Sequence, residues 1–133
     1  MEKTITVALW VGNVESENEL LDYVDISYSE DGADISSDFL KEFNIDQDDF
    51  DEDFFECAFR DRDSNMISIL LEGCSYEDMV IPSFQKKYGE KMNSKYNAII
   101  LMYDYNYSLR SDLSTIQKRK FVFVGNISAT VNI

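Results

Sequence analysis

Carboxylates are the side chains most able to do chemistry in this 133-residue sequence: 26 Asp and Glu stand against 12 Lys and Arg, and there is no His. The densest run is Asp46, Asp48, Asp49, Asp51, Glu52 and Asp53. A hard cation wants about six to eight oxygen ligands, several of them carboxylates from a short loop. The EF-hand spacing fails here. With Asp49 as the first ligand, Asp51 and Asp53 take the third and fifth places, but Phe54 stands where the turn needs glycine and Arg60 where the loop should close on glutamate. A second frame, from Ser27 to Asp38, has Gly32 at the turn yet opens without an aspartate. A glycosidase needs one raised and one ordinary carboxyl across a sugar-sized cleft. A run on a single loop instead repels itself into an extended, solvated arrangement.

The absence of His removes the commonest general base and the commonest zinc ligand. Neither a Gly-rich phosphate loop nor a GxSxG elbow is present. An enzyme using carboxylates and a metal stays open as a further class, because oxygen-ligand magnesium sites need no His. The balance reads as a binding protein, not an enzyme, with no cofactor and no metal.

Binding gives the carboxylate run a use, since carboxylates engage Arg and Lys of a partner while Phe50 or Phe54 fills a pocket. The bland alternative makes Phe54 and Phe55 core residues bracketing a solvated loop. A second candidate patch is Tyr103, Asp104 and Tyr105, in a polar aromatic cluster at the end of an apolar run, where functional groups are often placed. Trp10 lies on the strand face opposite Ile5, Val7 and Leu9, and either packs under a helix or anchors a partner. The candidate contact set is therefore Asp46, Asp48, Asp49, Asp51, Glu52, Asp53, Trp10, Tyr103, Asp104 and Tyr105. The net charge of -14 opposes direct contact with a nucleic-acid backbone and favours encounter with a basic protein. Of the 26 acidic residues, 19 lie between Glu15 and Asp63, where Lys41, Arg60 and Arg62 are the only cations.

These residues need elements to hold them. Thr4 to Val11 alternates with the period of a strand, and Ser16 with Glu19 has the form of a capping box opening a helix over Leu20, Leu21 and Val24. Ser27 to Asp34 reads as a loop, followed by a short helix presenting Phe39, Leu40 and Phe43. Phe54 to Arg60 reads as a strand and Ser64 to Leu71 as a short helix. Ser75 with Asp78 has the spacing to cap another helix carrying Met79, Val80, Phe84 and Tyr88, with Pro82 near its start. The unbroken apolar run within Tyr96 to Tyr105 predicts a strand buried on both faces and central in its sheet. Lys120 to Val131 reads as a strand pair turned at Gly125-Asn126.

Length and a 44% hydrophobic content suit one core, so the expectation is a single α+β domain over residues 1–133, a mostly antiparallel sheet with helices packed on it. The start has no signal pattern and no apolar run nears the roughly 18 to 20 residues of a membrane span, which places the protein in the cytoplasm. Cys57 and Cys74 fit no metal or redox spacing and read as buried free thiols.

Four stretches, in their order and spacing, resemble family 22 of the immunity proteins of bacterial polymorphic toxin systems. They are Trp10-Val11-Gly12-Asn13 before the capped acidic helix, Asp51-Glu52-Asp53-Phe54, Leu70-Leu71-Glu72-Gly73-Cys74-Ser75-Tyr76, and the strand from Tyr96 to Asp104. The similarity runs nearly end to end, with Cys74 where an aromatic residue is expected. It implies a cytoplasmic α+β protein that binds and neutralises a toxin domain, often a basic nuclease, encoded beside it. Gly12 and Asn13 then read as architecture of the turn. The competing reading is an acidic DNA mimic or regulatory binding protein with no dedicated toxin. The two differ in breadth: a mimic binds many basic proteins in a salt-sensitive way, an immunity protein one partner tightly.

Overall fold

The computed structural model describes residues 2–25, 27–28, 34–35, 38–43, 45, 54–105, 107 and 121–132. Alternation over the first strand is realised in β1 (Glu2–Gly12), and both of its faces are buried. Ile5, Val7, Leu9 and Val11 enter one core, Ala8 and Trp10 the other. A strand buried on both sides needs helices on both sides, and the following elements supply them. On Trp10's side lie α1 (Glu17–Val24), contributing Leu20 and Tyr23, and α2 (Asp38–Glu42), contributing Phe39 and Leu40. On the other side lie α3 (Ile67–Leu70) and α4 (Glu77–Tyr88), contributing Ile67, Leu70, Val80 and Phe84.

Between these layers β4 (Phe55–Met66), β5 (Lys91–Tyr103), β1 and β6 (Phe121–Asn132) form an antiparallel sheet in the order β4-β5-β1-β6. The fold is α+β. The apolar run Ala98 to Met102 is fully buried in β5, one of the two inner strands, as its lack of alternation requires.

The largest correction concerns Gly125-Asn126, which turns no hairpin: β6 is one continuous strand with a bulge. Leu9 pairs with Gly125 while Trp10 pairs with Phe123, leaving Val124 as the extra residue. Because side chains alternate with a period of two, one extra residue exchanges the faces. Phe121 and Phe123 accordingly pack on Trp10's side, while Ile127 and Ala129 face the α3–α4 core. Past the bulge, the Trp10 side of the sheet carries Thr4 and Thr130, both exposed, with their hydroxyl oxygens 3.4 Å apart. No apolar helix face has to cover that end.

Local signals explain most ends. Ser16 Oγ accepts the Glu19 N–H at 3.2 Å, and Glu19 reaches back to the Glu15 N–H at 2.7 Å, one residue before the position of a reciprocal box. Ser75 does not cap α4: the N-cap is Tyr76, without a side-chain cap bond, because the Ser75 amide and hydroxyl both go to Glu56. Pro82 lies inside the helix, in its second turn. The helix expected over Ser64 to Leu71 shortens to α3, since β4 runs on to Met66. Within the stretch read as a loop, β2 (Ser27–Tyr28) pairs with β3 (Asp34–Ile35). No helix of the described residues is long and apolar enough to cross a membrane.

Candidate functional site

Of the sequence-derived contact residues, Asp46, Asp48, Asp49, Asp51, Glu52 and Asp53 lie outside the described residues. Trp10 resolves to the core. It is 0% exposed and is ringed by Phe39 at 5.0 Å, Phe123 at 5.1 Å, Tyr107 at 5.2 Å and Phe43 at 5.8 Å, mostly edge-on. Each such pair contributes about 0.5–1.5 kcal/mol beyond its buried area. Its indole Nε1 has no hydrogen-bond partner among the described residues. Trp10 offers a partner no surface in this arrangement.

Tyr103, Asp104 and Tyr105 do not form one patch. Tyr103 is 7% exposed and faces the α3–α4 core. Asp104 is exposed, left-handed at φ 59°, and 3.5 Å from Lys3 Nζ. Tyr105 is half-buried, and its amide donates to the Thr6 carbonyl at 3.1 Å.

Seven of the described acidic residues, Glu15, Glu17, Glu19, Asp22, Asp25, Asp38 and Glu42, belong to the α1–α2 layer. Glu15, Glu17, Asp22 and Asp38 stand exposed there, and Lys41 is the only cation of the two described helices. Tyr23 of α1 meets Phe39 of α2 at 6.0 Å and donates its hydroxyl to Glu42 at 2.5 Å, which fixes one helix to the other. Glu17 acts electrostatically on Cys57 of β4, so this layer reaches the β4 side of the sheet. Residues 46–53 connect this same layer to β4 in the chain. Lys86 and Lys87 lie instead in the last turn of α4, on the opposite face, and Lys91 opens β5.

A second polar centre, which sequence reasoning missed, joins β4 to the α3–α4 connection. Glu56 accepts the Ser75 N–H at 3.0 Å on one oxygen and the Ser75 hydroxyl at 2.9 Å on the other. The Tyr103 hydroxyl lies 3.0 Å from Glu56 Oε1 and 3.0 Å from the Ser75 carbonyl, so its single proton is shared. Arg60, four residues along the same strand, donates to the Leu70 carbonyl at 3.0 Å and also to the Glu72 carbonyl. These bonds satisfy carbonyls that the end of α3 leaves open. Between β4 and this connection is a cleft of about 240 Å³ whose lining includes Glu56, Ala58, Arg60, Glu72, Gly73 and Cys74.

Burial, followed by the Glu56 carboxylate, pushes the Cys74 thiol up to about 11, and the same two causes in the same order raise Tyr103. Burial also raises Cys57, with Glu17 and Glu56 adding to it. Both thiols therefore stay protonated at neutral pH, which suits structure and not nucleophilic attack. Both cysteines are free. Among the described residues, no group of three or more His, Cys, Asp or Glu side chains is placed to hold a metal.

The signal for the Glu56 centre was present but ambiguous. Glu56 alternates with Phe55 and Cys57 as any outward residue of a half-buried strand would, and only the pairing of Glu56 with Leu101 brings it beside Tyr103.

Comparison with known proteins agrees with the resemblance seen in the sequence: the model of a family described as Immunity protein 22 matches residues 7–128. No curated protein and no solved structure matches the chain. The match takes in both helical layers, β4 and β5, and part of β1 and of β6, and the chain belongs to the Immunity protein 22 family.

Proposed function

From that membership, we propose that this chain works as one domain in the cytoplasm, where it binds and neutralises the toxin domain encoded beside it. The contact is made by the acidic α1–α2 layer together with the carboxylates of the 46–53 sequence, and the toxin is a basic nuclease. The observation that carries this reading is the segregation of charge. The stretch from Glu15 to Asp63 holds 19 carboxylates and three cations, and its described helices put Glu17, Asp22 and Asp38 on the outside of one layer, with Glu15 exposed just before α1.

An array of this kind raises the encounter rate with a cationic surface and penalises partners of like charge. A nuclease must carry cations where it meets phosphates. Carboxylates held opposite those cations either occupy the phosphate positions or cover the surface next to them. The proton-holding behaviour of Cys74 and Tyr103 fits a protein that acts by contact.

The test is neutralisation. Toxin activity is titrated with the purified protein at physiological salt, and one equivalent abolishes it on this account. A toxin that stays fully active beside a stoichiometric excess would remove the reading.

A further inference from the structure

The acidic layer is not the only surface shaped to receive a cation. Next in the chain to Ser75, which Glu56 of the cleft holds, stands Tyr76, whose backbone is left-handed at φ 58°, ψ 34° and whose side chain is 46% exposed. A bulky residue in that region of backbone space is an outlier and is held there only by its surroundings. Those surroundings are visible. Ser75 is fixed by Glu56 on one side, the Tyr76 carbonyl accepts the Met79 and Val80 amides at 2.9 Å on the other, and the Tyr76 ring meets Tyr103 edge-on at 6.1 Å. The result is an aromatic side chain presented to solvent, with Met79 of the next turn 40% exposed.

The cleft itself has a definite preference. Its volume of about 240 Å³ compares with the roughly 300–1,000 Å³ of pockets for drug-sized ligands and the ~30 Å³ that a water takes up in the liquid. It suits one long side chain. Glu56 and Glu72 line it, and Glu77 reaches its rim by accepting the Gly73 N–H at 2.8 Å. The one cation in the lining, Arg60, is committed to the Leu70 and Glu72 carbonyls. Among the described residues Glu56 Oε2 accepts only the Ser75 hydroxyl, and a carboxylate oxygen has room for a second donor.

We propose that this cleft takes an Arg or Lys side chain of the toxin, with Tyr76 as the aromatic anchor beside it. The cation meets the Glu56 and Glu72 carboxylates, and Tyr76 supplies contact area and a ring face for the stem or guanidinium. The toxin as occupant rests on the function proposed above, whereas the cleft's preference for a cation does not.

Two measurements test the two parts separately. In the first, the protein is titrated with N-acetyl-arginine amide and, as the neutral control, N-acetyl-citrulline amide, and amide NMR shifts are followed. Arginine-specific shifts concentrated at Gly73, Cys74 and Ser75 are expected; equal shifts with citrulline, or shifts spread over α1 and α2 without the cleft, would overturn the proposal. The second measures toxin affinity of Tyr76→Gly and Glu72→Gln. Glycine tolerates the left-handed backbone, so Tyr76→Gly keeps the wild-type melting temperature within a few degrees while affinity falls at least tenfold. Wild-type affinity in both variants would exclude the cleft from the toxin contact. If the wild-type protein itself fails to bind, the functional reading falls and the arginine titration alone decides the cleft.

Discussion

Asn126 holds Tyr107 by both polar groups of its backbone: its side-chain carbonyl accepts the Tyr107 N–H at 3.1 Å, and its side-chain amide donates to the Tyr107 carbonyl at 2.8 Å. A primary amide has the donor and acceptor pattern of a strand neighbour, so one side chain replaces a missing strand. Asn97 does the same for Val14, at 2.9 and 2.8 Å. The Asn126 backbone carbonyl meanwhile accepts from Lys87 and Tyr88 of α4. One residue thus ties the α4 layer to the tyrosine that packs on Trp10 on the other face.

Replacing Asn126 by Ala leaves two partly buried main-chain groups unpaired and should cost about 1–3 kcal/mol. Asn126→Asp keeps the acceptor but loses the donor, and should cost a similar amount at neutral pH. Urea unfolding monitored by Trp10 fluorescence measures both. A cost below about 0.5 kcal/mol would show that the clamp contributes little.

Gly125 is the other half of the bulge. At φ 156° a side chain is disfavoured, and a Cβ there would lie 1.9 Å from the Tyr88 hydroxyl. Gly125→Ala should destabilise by about 2 kcal/mol or more, through backbone strain together with displacement of the ring. In the Tyr88→Ala background the same substitution should cost at least about 1 kcal/mol less, the coupling expected of side chains in contact. Equal costs in both backgrounds would mean that the ring moves aside freely.

How much of this was legible depends on whether neighbours in sequence or in space decide. β5 was readable because Ala98 to Met102 has no polar position, which only an inner strand tolerates. The burial of Phe39, Leu40 and Phe43 was readable from spacing alone. Gly125-Asn126 misled because the same dipeptide serves a hairpin and a bulge, and only pairing with β1 chooses between them. Ser75 misled because its cap signal is local, whereas Glu56, 19 residues earlier, competes for its hydroxyl through the tertiary fold. The extension of β4 through Asp61, Arg62 and Asp63 has no apolar alternation, since that part of the strand is exposed.

Glu90, in the link between α4 and β5, caps α3 from outside that helix. Its carbonyl accepts the Ile67 N–H and its carboxylate the Ser68 N–H, at 2.8 and 2.7 Å, and the Ser68 bond is the chief reason its pKa is lowered. A carboxyl lowered on folding stabilises above its ordinary value of 4.5, and that contribution disappears as pH falls through the folded value. Glu90→Ala removes the carboxylate bond to Ser68 and, because that carboxyl is largely open to screening by water, should cost only a fraction of the ~1 kcal/mol of a buried cap at pH 7. The gap from wild type should close under acid; a gap independent of pH would assign the effect to packing.

Cys74 gives the opposite limb. Its thiol titrates near 11 in the folded protein against 9.0 in the reference state, so its contribution is complete below pH 9 and is lost as pH rises from 9 towards 11. Iodoacetamide at pH 8 should modify Cys74 at least about tenfold more slowly in the native protein than in urea. Equal rates would mean that the thiol is open to solvent and unperturbed.

In the proposed function, a segregated acidic surface delivers this protein to a cationic toxin. The most direct test is the association rate constant for the toxin domain, measured by stopped flow at low and physiological salt, for wild type and for the chain carrying Asp48→Lys, Asp49→Lys and Asp51→Lys. The rate should fall about 10- to 100-fold at low salt, the difference should narrow as salt screens it, and the melting temperature should stay unchanged. An association rate equal to wild type at both salt concentrations would contradict this.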